Sequence, residues 1–329
     1  MNNSKSMFSL ERVLCVSHGD DVDGLVCASY LSLMRGASIL LTNYDELGDV
    51  LRRVQHPTNQ VYICDLNIRE EHHQEAIRIS RFSKLTIVDH HPMTEATVLA
   101  LQSAGATLIH SINDCASVLL SKHFRRELTH DELRLAAYAA VSDQFEDGPL
   151  ARELLARFDR QLVQHEALML THALTMENSP SFKMRLVEEL KVKFFPHLIE
   201  GVAEAALSYL KLATLILRAI PEEAVRLNRI AYAEAHREIS TGTMASLILD
   251  ALDVEAAASY RVVGEVSNFS IRGRVGSMVH LGDVTRRIAK QCGGFGGGHM
   301  KASGASIPTE KLMDFLFALD AELKEPKNP

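Results

Sequence analysis

Four apolar runs, "RVLCV", "ASILLT", "QVYICDL" and "KLTIVDHH", recur before residue 92, with helical patterns between them. A fifth, "ATLIHS", follows. Strands this continuously apolar need cover on both faces, and strands that alternate with helices run parallel. The expected fold is therefore α/β: a parallel sheet between helices that cover about Gly24–Arg35, Glu46–Val54 and Arg69–Ser80 and begin again near Cys115 and Asp131. From about Ala151 to Ile220, Leu, Ala, Met and Glu dominate, which predicts several helices, and Pro221 marks a boundary. Beyond it, "RIAYAEA", "AASYRVVGEV" and "FSIRGRV", with helices near Met244–Leu252 and Asp283–Lys290, predict a smaller α/β domain that ends in a frayed "KEPKNP".

With 329 residues, 47% of them hydrophobic, the chain can build two cores. A formal net charge of -7 argues against a protein that coats long nucleic acid. A short anionic ligand is compatible with it, because bound metal ions add positive charge that the residue count omits. Five cysteines stand singly without a C-x-x-C pair, which reads as small buried hydrophobes in a reducing compartment. "MNNSKSMFSLER" contains no apolar signal region, and no run approaches the roughly 20 apolar residues of a spanning helix. The expectation is a cytoplasmic protein with no membrane partner.

Open α/β sheets bind ligands at the carboxyl ends of their strands. The first strand ends in His18, Asp21 and Asp23, the third in Asp65, and the fourth in Asp89, His90 and His91; the helix "LRLAAYAAVSD" delivers Asp143. One aspartate after a strand is commonly a turn or cap residue. Four segments that end this way point instead to a shared site. Carboxylates gathered there would repel one another, and divalent cations relieve the repulsion. A His and Asp donor set without thiolates suits Mn²⁺, with Mg²⁺, Co²⁺ or Fe²⁺ as competitors, better than structural zinc.

In this order and spacing the motifs resemble the DHH phosphoesterases that carry a DHHA1 C-terminal domain. The name describes Asp89, His90 and His91, and the C-terminal signature is matched by "GGFGGGHMKASGA", residues 293–305, and by "FSIRGR". The resemblance implies a DHH catalytic domain over 1–150, a helical linker over 151–221 and a DHHA1 substrate-binding domain over 222–329. It implies two metal ions: one held by His18, Asp21 and Asp65, the other by Asp23, Asp65, His90 and Asp143, with Asp65 shared. His91 would face the scissile phosphate, and Asp89 would set a histidine tautomer. Many family members place three residues between the first histidine and the first aspartate, whereas His18 and Asp21 are separated by two. Asp20 and Asp21 both stay open as ligand, and Asp21 is preferred because it keeps Asp-x-Asp-Gly intact. Two cations about 3.5–4 Å apart can activate a water and clamp phosphoryl oxygens.

"GGFGGGH" reads as a glycine loop whose N–H groups could approach an anion. Gly296, Gly297, Gly298 and His299 are the candidates there, and Arg272 is a candidate for fork contacts to a phosphate. Phe295 stands where the family usually has glycine, either as a packed loop anchor or as a stacking surface for a nucleobase.

The expected function is metal-dependent hydrolysis of short linear oligonucleotides, dinucleotides foremost, to mononucleotides. The two domains would bracket the substrate, and a homodimer is possible through 151–220. A 3′-phosphoadenosine 5′-phosphate phosphatase, a single-strand exonuclease and a non-enzymatic nucleotide sensor remain alternatives. Inorganic pyrophosphatase is disfavoured by the "GGGH" segment and by the lack of a Ser-Arg-Lys-type motif.

Overall fold

The computed structural model describes residues 12–55, 58–274, 276 and 278–323, so the tail "KEPKNP" lies outside the described residues. The chain divides into two compact units, Met1–Leu207 and Ser208–Pro329.

In the first unit, β1 (Val13–His18), β2 (Ser38–Thr42), β3 (Gln60–Cys64), β4 (Lys84–Asp89) and β5 (Thr107–His110) form a sheet in the order β2-β1-β3-β4-β5. All four pairings are parallel. The crossovers are α1 (Val22–Arg35), α2 (Leu47–Arg53), α3 (His73–Ser80) and α4 (Glu95–Ser103), and α5 (Ala116–His123) and α6 (His130–Ser142) follow β5. Helix α4 is not marked by the sequence pattern; its Leu99 is exposed and only Thr97 and Leu101 are buried, so its periodicity is weak. The strands are apolar throughout because both faces are covered. In β1, Cys15 joins a core built with Leu25, Leu31 and Tyr138, while Val16 joins one with Leu47, Ile63 and Ile79 on the opposite face. Strand β1 has neighbours on both sides, so the chain reverses direction between β1 and β3, where such sheets leave a crevice at the strand ends.

Helices α7 (Pro149–Leu155), α8 (Arg160–Met176) and α9 (Pro180–Lys193) pack into the first of these cores through Leu154, Leu170, Leu186 and Leu190. Helix α10 (Val202–Glu223) contains Pro221. The missing N–H there removes one bond in the final turn, which the helix tolerates. Cys15, Cys27, Cys64 and Cys115 are buried free thiols. Among the described residues no helix is long and apolar enough to cross a membrane.

The second unit contains β6 (Val225–Arg226), β7 (Ile230–Glu234), α11 (Thr241–Ala251), β8 (Ala256–Val263), β9 (Val266–Gly273), α12 (Leu281–Gln291), β10 (Phe295–Gly298), β11 (Ala302–Pro308) and α13 (Leu312–Glu322). The sheet is mixed, in the order β10-β11-β9-β8-β7-β6. Only β7 and β8 are parallel. Ile271 and Ile307 pack under Ile288 of α12 and Phe315 of α13, and Ala231 and Ala257 pack under Met244 of α11 and Ile216 and Ile220 of α10.

The glycine segment is a correction to the sequence reading. Residues 295–298 are an edge strand paired antiparallel with β11, not a loop. Close packing calls for glycine at Gly296, where a Cβ would lie 2.9 Å from the Gly304 carbonyl oxygen of β11 and 3.1 Å from Ala289 Cβ and Thr285 Cγ2 of α12, and at Gly282 of α12, where one would stand 2.1 Å from the Gly298 carbonyl oxygen. Nor is Phe295 a packed anchor, being 75% exposed.

Candidate metal centre

Helix α1 starts directly against the end of β1. A Cβ on Gly24 would stand 2.2 Å from the His18 carbonyl oxygen, so the Asp-x-Asp-Gly turn needs its glycine. Asp21 caps α1 by accepting from the Gly24 N–H at 3.0 Å, and its other oxygen lies 3.4 Å from His18 Nε2. Asp20 points elsewhere, to Lys183 Nζ at 2.5 Å. Of the two candidates, Asp21 is therefore the one beside His18. Asp23 is buried and accepts from the N–H groups of Ala116 and Ser117 at 2.8 Å each, one on each oxygen. The first turn of α5 thus orients both oxygens and leaves each with a further lone pair.

Asp65 leaves β3 with φ 56°, a left-handed conformation that aspartate tolerates better than most residues. Its Oδ1 lies 3.1 Å from His90 Nε2 and 3.9 Å from His91 Nδ1. Asp89 is buried, and its Oδ1 accepts from the backbone N–H groups of His90 and His91 at 2.8 and 3.2 Å. The same oxygen accepts from His91 Nδ1 at 2.8 Å. A carboxylate only accepts, so Nδ1 carries the hydrogen and Nε2 of a neutral His91 keeps its lone pair. Asp143, the C-cap of α6, brings Oδ2 to 3.4 Å from His90 Nε2.

Two groups follow, each with donor atoms within 4.8 Å of one another: Asp65, Asp89, His90 and His91, and Asp23, His90 and Asp143. His90 belongs to both. The structure thus gathers Asp23, His90 and Asp143 in one group, Asp65 beside His90, and His18 beside Asp21.

Without cations this arrangement is unfavourable for charge. Burial foremost, then Asp21, Asp23, Asp143 and Asp89, pushes the Asp65 carboxyl well above the usual carboxylate range. Burial, then Asp23 and Asp21, pushes Asp143 up to about 9. Burial also lowers His90, which favours the neutral imidazole a metal requires. Oδ2 of Asp65, Asp89 and Asp143, and Nδ1 of His18, are buried without hydrogen-bond partners. An unpaired buried polar atom costs about 1–3 kcal/mol, so the three aspartate oxygens grouped around His90 are most simply accounted for by cations among them. The residues present therefore fit divalent metal ions.

Two aromatic residues absent from the sequence reading complete the site. Tyr44 stacks on His18 with ring centroids 4.5 Å apart and brings its hydroxyl to 3.2 Å from His91 Nε2. Phe145 meets the His90 ring edge-on at 4.7 Å. Both lie two residues beyond a sheet- or helix-end landmark, Thr42 and Asp143, and that proximity is the signal that could have found them.

The remaining candidates lie in the second unit. Arg272 pairs with Ala302 across β9 and β11, and the His299 N–H donates to the Ala302 carbonyl at 2.7 Å, so both occupy the same end of the sheet. Arg272 lies against the first turn of α11, where a Cβ on Gly242 would approach its Nη2 to 2.7 Å. Burial lowers the guanidinium from its ordinary value. Beside it Thr241 and Ser270 share a hydroxyl hydrogen bond of 2.8 Å. Gly298 has φ 143° at the turn into His299, which is exposed.

Residues 228–325 match the family model described as the DHHA1 domain. A curated relative, an uncharacterized protein of Methanocaldococcus jannaschii, is 35% identical over 103 residues, or 30% of this chain. The match spans 23% of that protein's length. Among solved structures, a DHH domain described as a member of a family of ribosomal proteins superposes with a TM-score of 0.76 at 15% identity, covering 98% of this chain and 88% of that one. A pGpG-specific phosphodiesterase, PggH, from Vibrio cholerae gives 0.59 at 15% identity, covering 95% and 98%. An exonuclease RecJ bound to manganese gives 0.63 at 15% identity, covering 96% and 91%. At these identities the likeness establishes the fold. Residues 228–325 of the second unit are thus a DHHA1 domain, and the parallel-sheet unit before it, which gathers the Asp-His-His motif, shares its fold with these DHH-type structures.

Proposed function

We propose that this chain is a metal-dependent phosphodiesterase that hydrolyses short linear oligonucleotides, dinucleotides foremost, to mononucleotides. The observation that carries the reading is the set of buried, unpartnered oxygens of Asp65, Asp89 and Asp143 around His90 at the carboxyl edge of the sheet. His18, Asp21 and Asp65 would hold one divalent ion, and Asp23, Asp65, His90 and Asp143 the other. Mn²⁺ suits this oxygen and imidazole set, with Mg²⁺ or Co²⁺ as substitutes, and the RecJ structure described as bound to manganese supports the choice. When bound, such a pair supplies an activated water and positive charge at the phosphoryl oxygens.

The protein's own groups supply the rest. Asp23 is held by two backbone donors and cannot swing away. Asp89 fixes the tautomer of His91, the residue that would face the reacting phosphate. In the second unit Arg272 and His299, with the backbone of Gly296, Gly297 and Gly298, would bind a phosphate remote from the bond that breaks. The net charge of -7 favours a short substrate over a long one. Likeness to a protein described as a pGpG-specific phosphodiesterase supports a dinucleotide, and likeness to one described as an exonuclease keeps strand degradation as the second reading.

The test is chelator-treated protein reloaded with Mn²⁺ and offered linear strands from two to about twenty nucleotides, cyclic dinucleotides, 3′-phosphoadenosine 5′-phosphate and pyrophosphate. Expected is a kcat/KM highest for linear dinucleotides and falling by five residues. Activity that rises with length would install the exonuclease reading. Binding without turnover of any substrate would install the sensor.

A further inference from the structure

Tyr44 lies outside every motif discussed so far, yet its side chain touches the centre from two directions. It follows β2, the edge strand beside β1, in a turn where Asn43 Oδ1 accepts from the Glu46 N–H at 2.9 Å. That turn carries the phenol over the strand ends. Its ring lies nearly parallel to His18, with centroids 4.5 Å apart and an interplanar angle of 27°. Its hydroxyl lies 3.2 Å from His91 Nε2, and the two rings meet edge to face at 5.5 Å. One residue thus spans the end of β1 and the turn after β4.

The two contacts do different things. His18 is 5% exposed and its Nε2 faces Asp21. A ring stacked on its face leaves the imidazole little freedom to rotate, so its nitrogens keep their aim. At His91 the constraint is a hydrogen bond. Asp89 takes the Nδ1 hydrogen, so Nε2 is an acceptor, and an O–H is the group that can satisfy it. Asp89, His91 and Tyr44 therefore form a line of carboxylate, imidazole and phenol that fixes the imidazole from both ends.

We propose that Tyr44 is a positioning residue of this centre with two separable roles: its ring aims His18, and its hydroxyl, donating to Nε2 of His91, fixes the orientation of that imidazole beside the other groups of the centre. The proposal rests on the metal-centre reading above and extends it to a residue that no motif contains. Partners that orient a ligand typically change metal affinity or activity 10–100-fold when removed. The two roles predict that these losses fall on different variants.

The experiment compares Tyr44→Phe and Tyr44→Ala with wild type by Mn²⁺ titration of the metal-free protein, by steady-state kinetics on a linear dinucleotide, and by long-range proton–nitrogen NMR of the histidine rings without metal. Tyr44→Phe keeps the ring. It should bind Mn²⁺ within about twofold of wild type and keep KM, but lose about tenfold in kcat. Its His91 Nε2 resonance should move toward that of an imine nitrogen with no donor. Tyr44→Ala should show the same change at His91 and also about tenfold weaker binding of one Mn²⁺, which Tyr44→Phe restores. An unchanged His91 resonance and kcat in Tyr44→Phe would overturn the hydroxyl role, and equal Mn²⁺ affinity in Tyr44→Ala would overturn the ring role. Should Tyr44→Ala not fold, Tyr44→Leu takes its place. If wild type itself binds no Mn²⁺, the metal reading falls, and the NMR of the metal-free protein still decides the hydrogen bond to His91.

Discussion

In the first unit the polar residues at the sheet edge are buried and held by the backbone. Asp23 takes two N–H groups of α5, Asp89 takes two more and the His91 ring, and Asp65 adopts a left-handed turn. In the second unit His299 is exposed, and of the glycines before it Gly296 packs against α12 and β11, while Gly298 has a positive φ and lies against β11. The first arrangement lowers the stability of the metal-free fold: like charges share a dry site, and buried oxygens go unpaired. At the second, among the described residues, neither Arg272 nor His299 has a buried side-chain atom without a hydrogen-bond partner. An added cation should therefore alter the stability of the first region, whereas a ligand at the second must compete with water. Changes in the first should appear in metal binding and stability, and changes in the second in substrate affinity alone.

The largest effect expected is at Asp65. Asp65→Asn removes the carboxylate assigned to both cations, and kcat should fall on the order of a thousandfold or more at saturating Mn²⁺. Activity within tenfold of wild type would end the shared role and make the two regions more alike than proposed.

His299→Ala should sharpen the contrast from the other side. Mn²⁺ stoichiometry by titration stays at the wild-type value, while KM for a dinucleotide rises about tenfold and kcat falls less. A variant that lost metal would remove His299 from substrate binding.

A third measurement concerns pH. Asp143 is held up to about 9 in the folded protein, against an ordinary carboxyl value near 4 in the unfolded chain. Between these values the folded state binds the extra proton, so the stability of the metal-free protein falls as pH rises through that window. Below it the dependence vanishes. Mn²⁺ replaces the proton, so the gain in Tm on adding Mn²⁺ should grow from about pH 5 to about pH 9. A gain independent of pH would show that the carboxyl groups are not coupled to the ion.

The smallest effect is expected at Asp20. Because Asp20 pairs with Lys183 and not with His18, Asp20→Asn should keep Mn²⁺ affinity within about twofold, as suits an exposed ion pair. Asp21→Asn should weaken it by more. The reverse order would make Asp20 the ligand.

Much of the parallel sheet could be read along the chain, because β1, β3 and β4 are continuous apolar runs and each run ends in His or Asp. The sequence marks Gly24 only as the end of Asp-x-Asp-Gly; that close approach to His18 leaves no room for a side chain is visible only in the fold. Helix α4 was not legible, because a half-exposed helix with few buried positions has little period to detect. The glycine segment misled. A run of glycines signals freedom of the backbone, but it equally signals a helix pressed against a strand, and only the position of α12 distinguishes the two.

What the sequence determined by itself was the list of groups: apolar strands that must be buried on both faces, and His and Asp residues placed where those strands stop. Those are local properties, set by the period of side chains along the strand and by where the period breaks. Tertiary structure decided which groups meet. Asp21 faces His18 while its neighbour Asp20 faces Lys183, and Tyr44 reaches His18 and His91 from a different crossover. Residues 26 and 47 positions apart are brought within hydrogen-bonding or stacking distance there, and that proximity is fixed by the order of strands in the sheet, which no periodicity along the chain encodes.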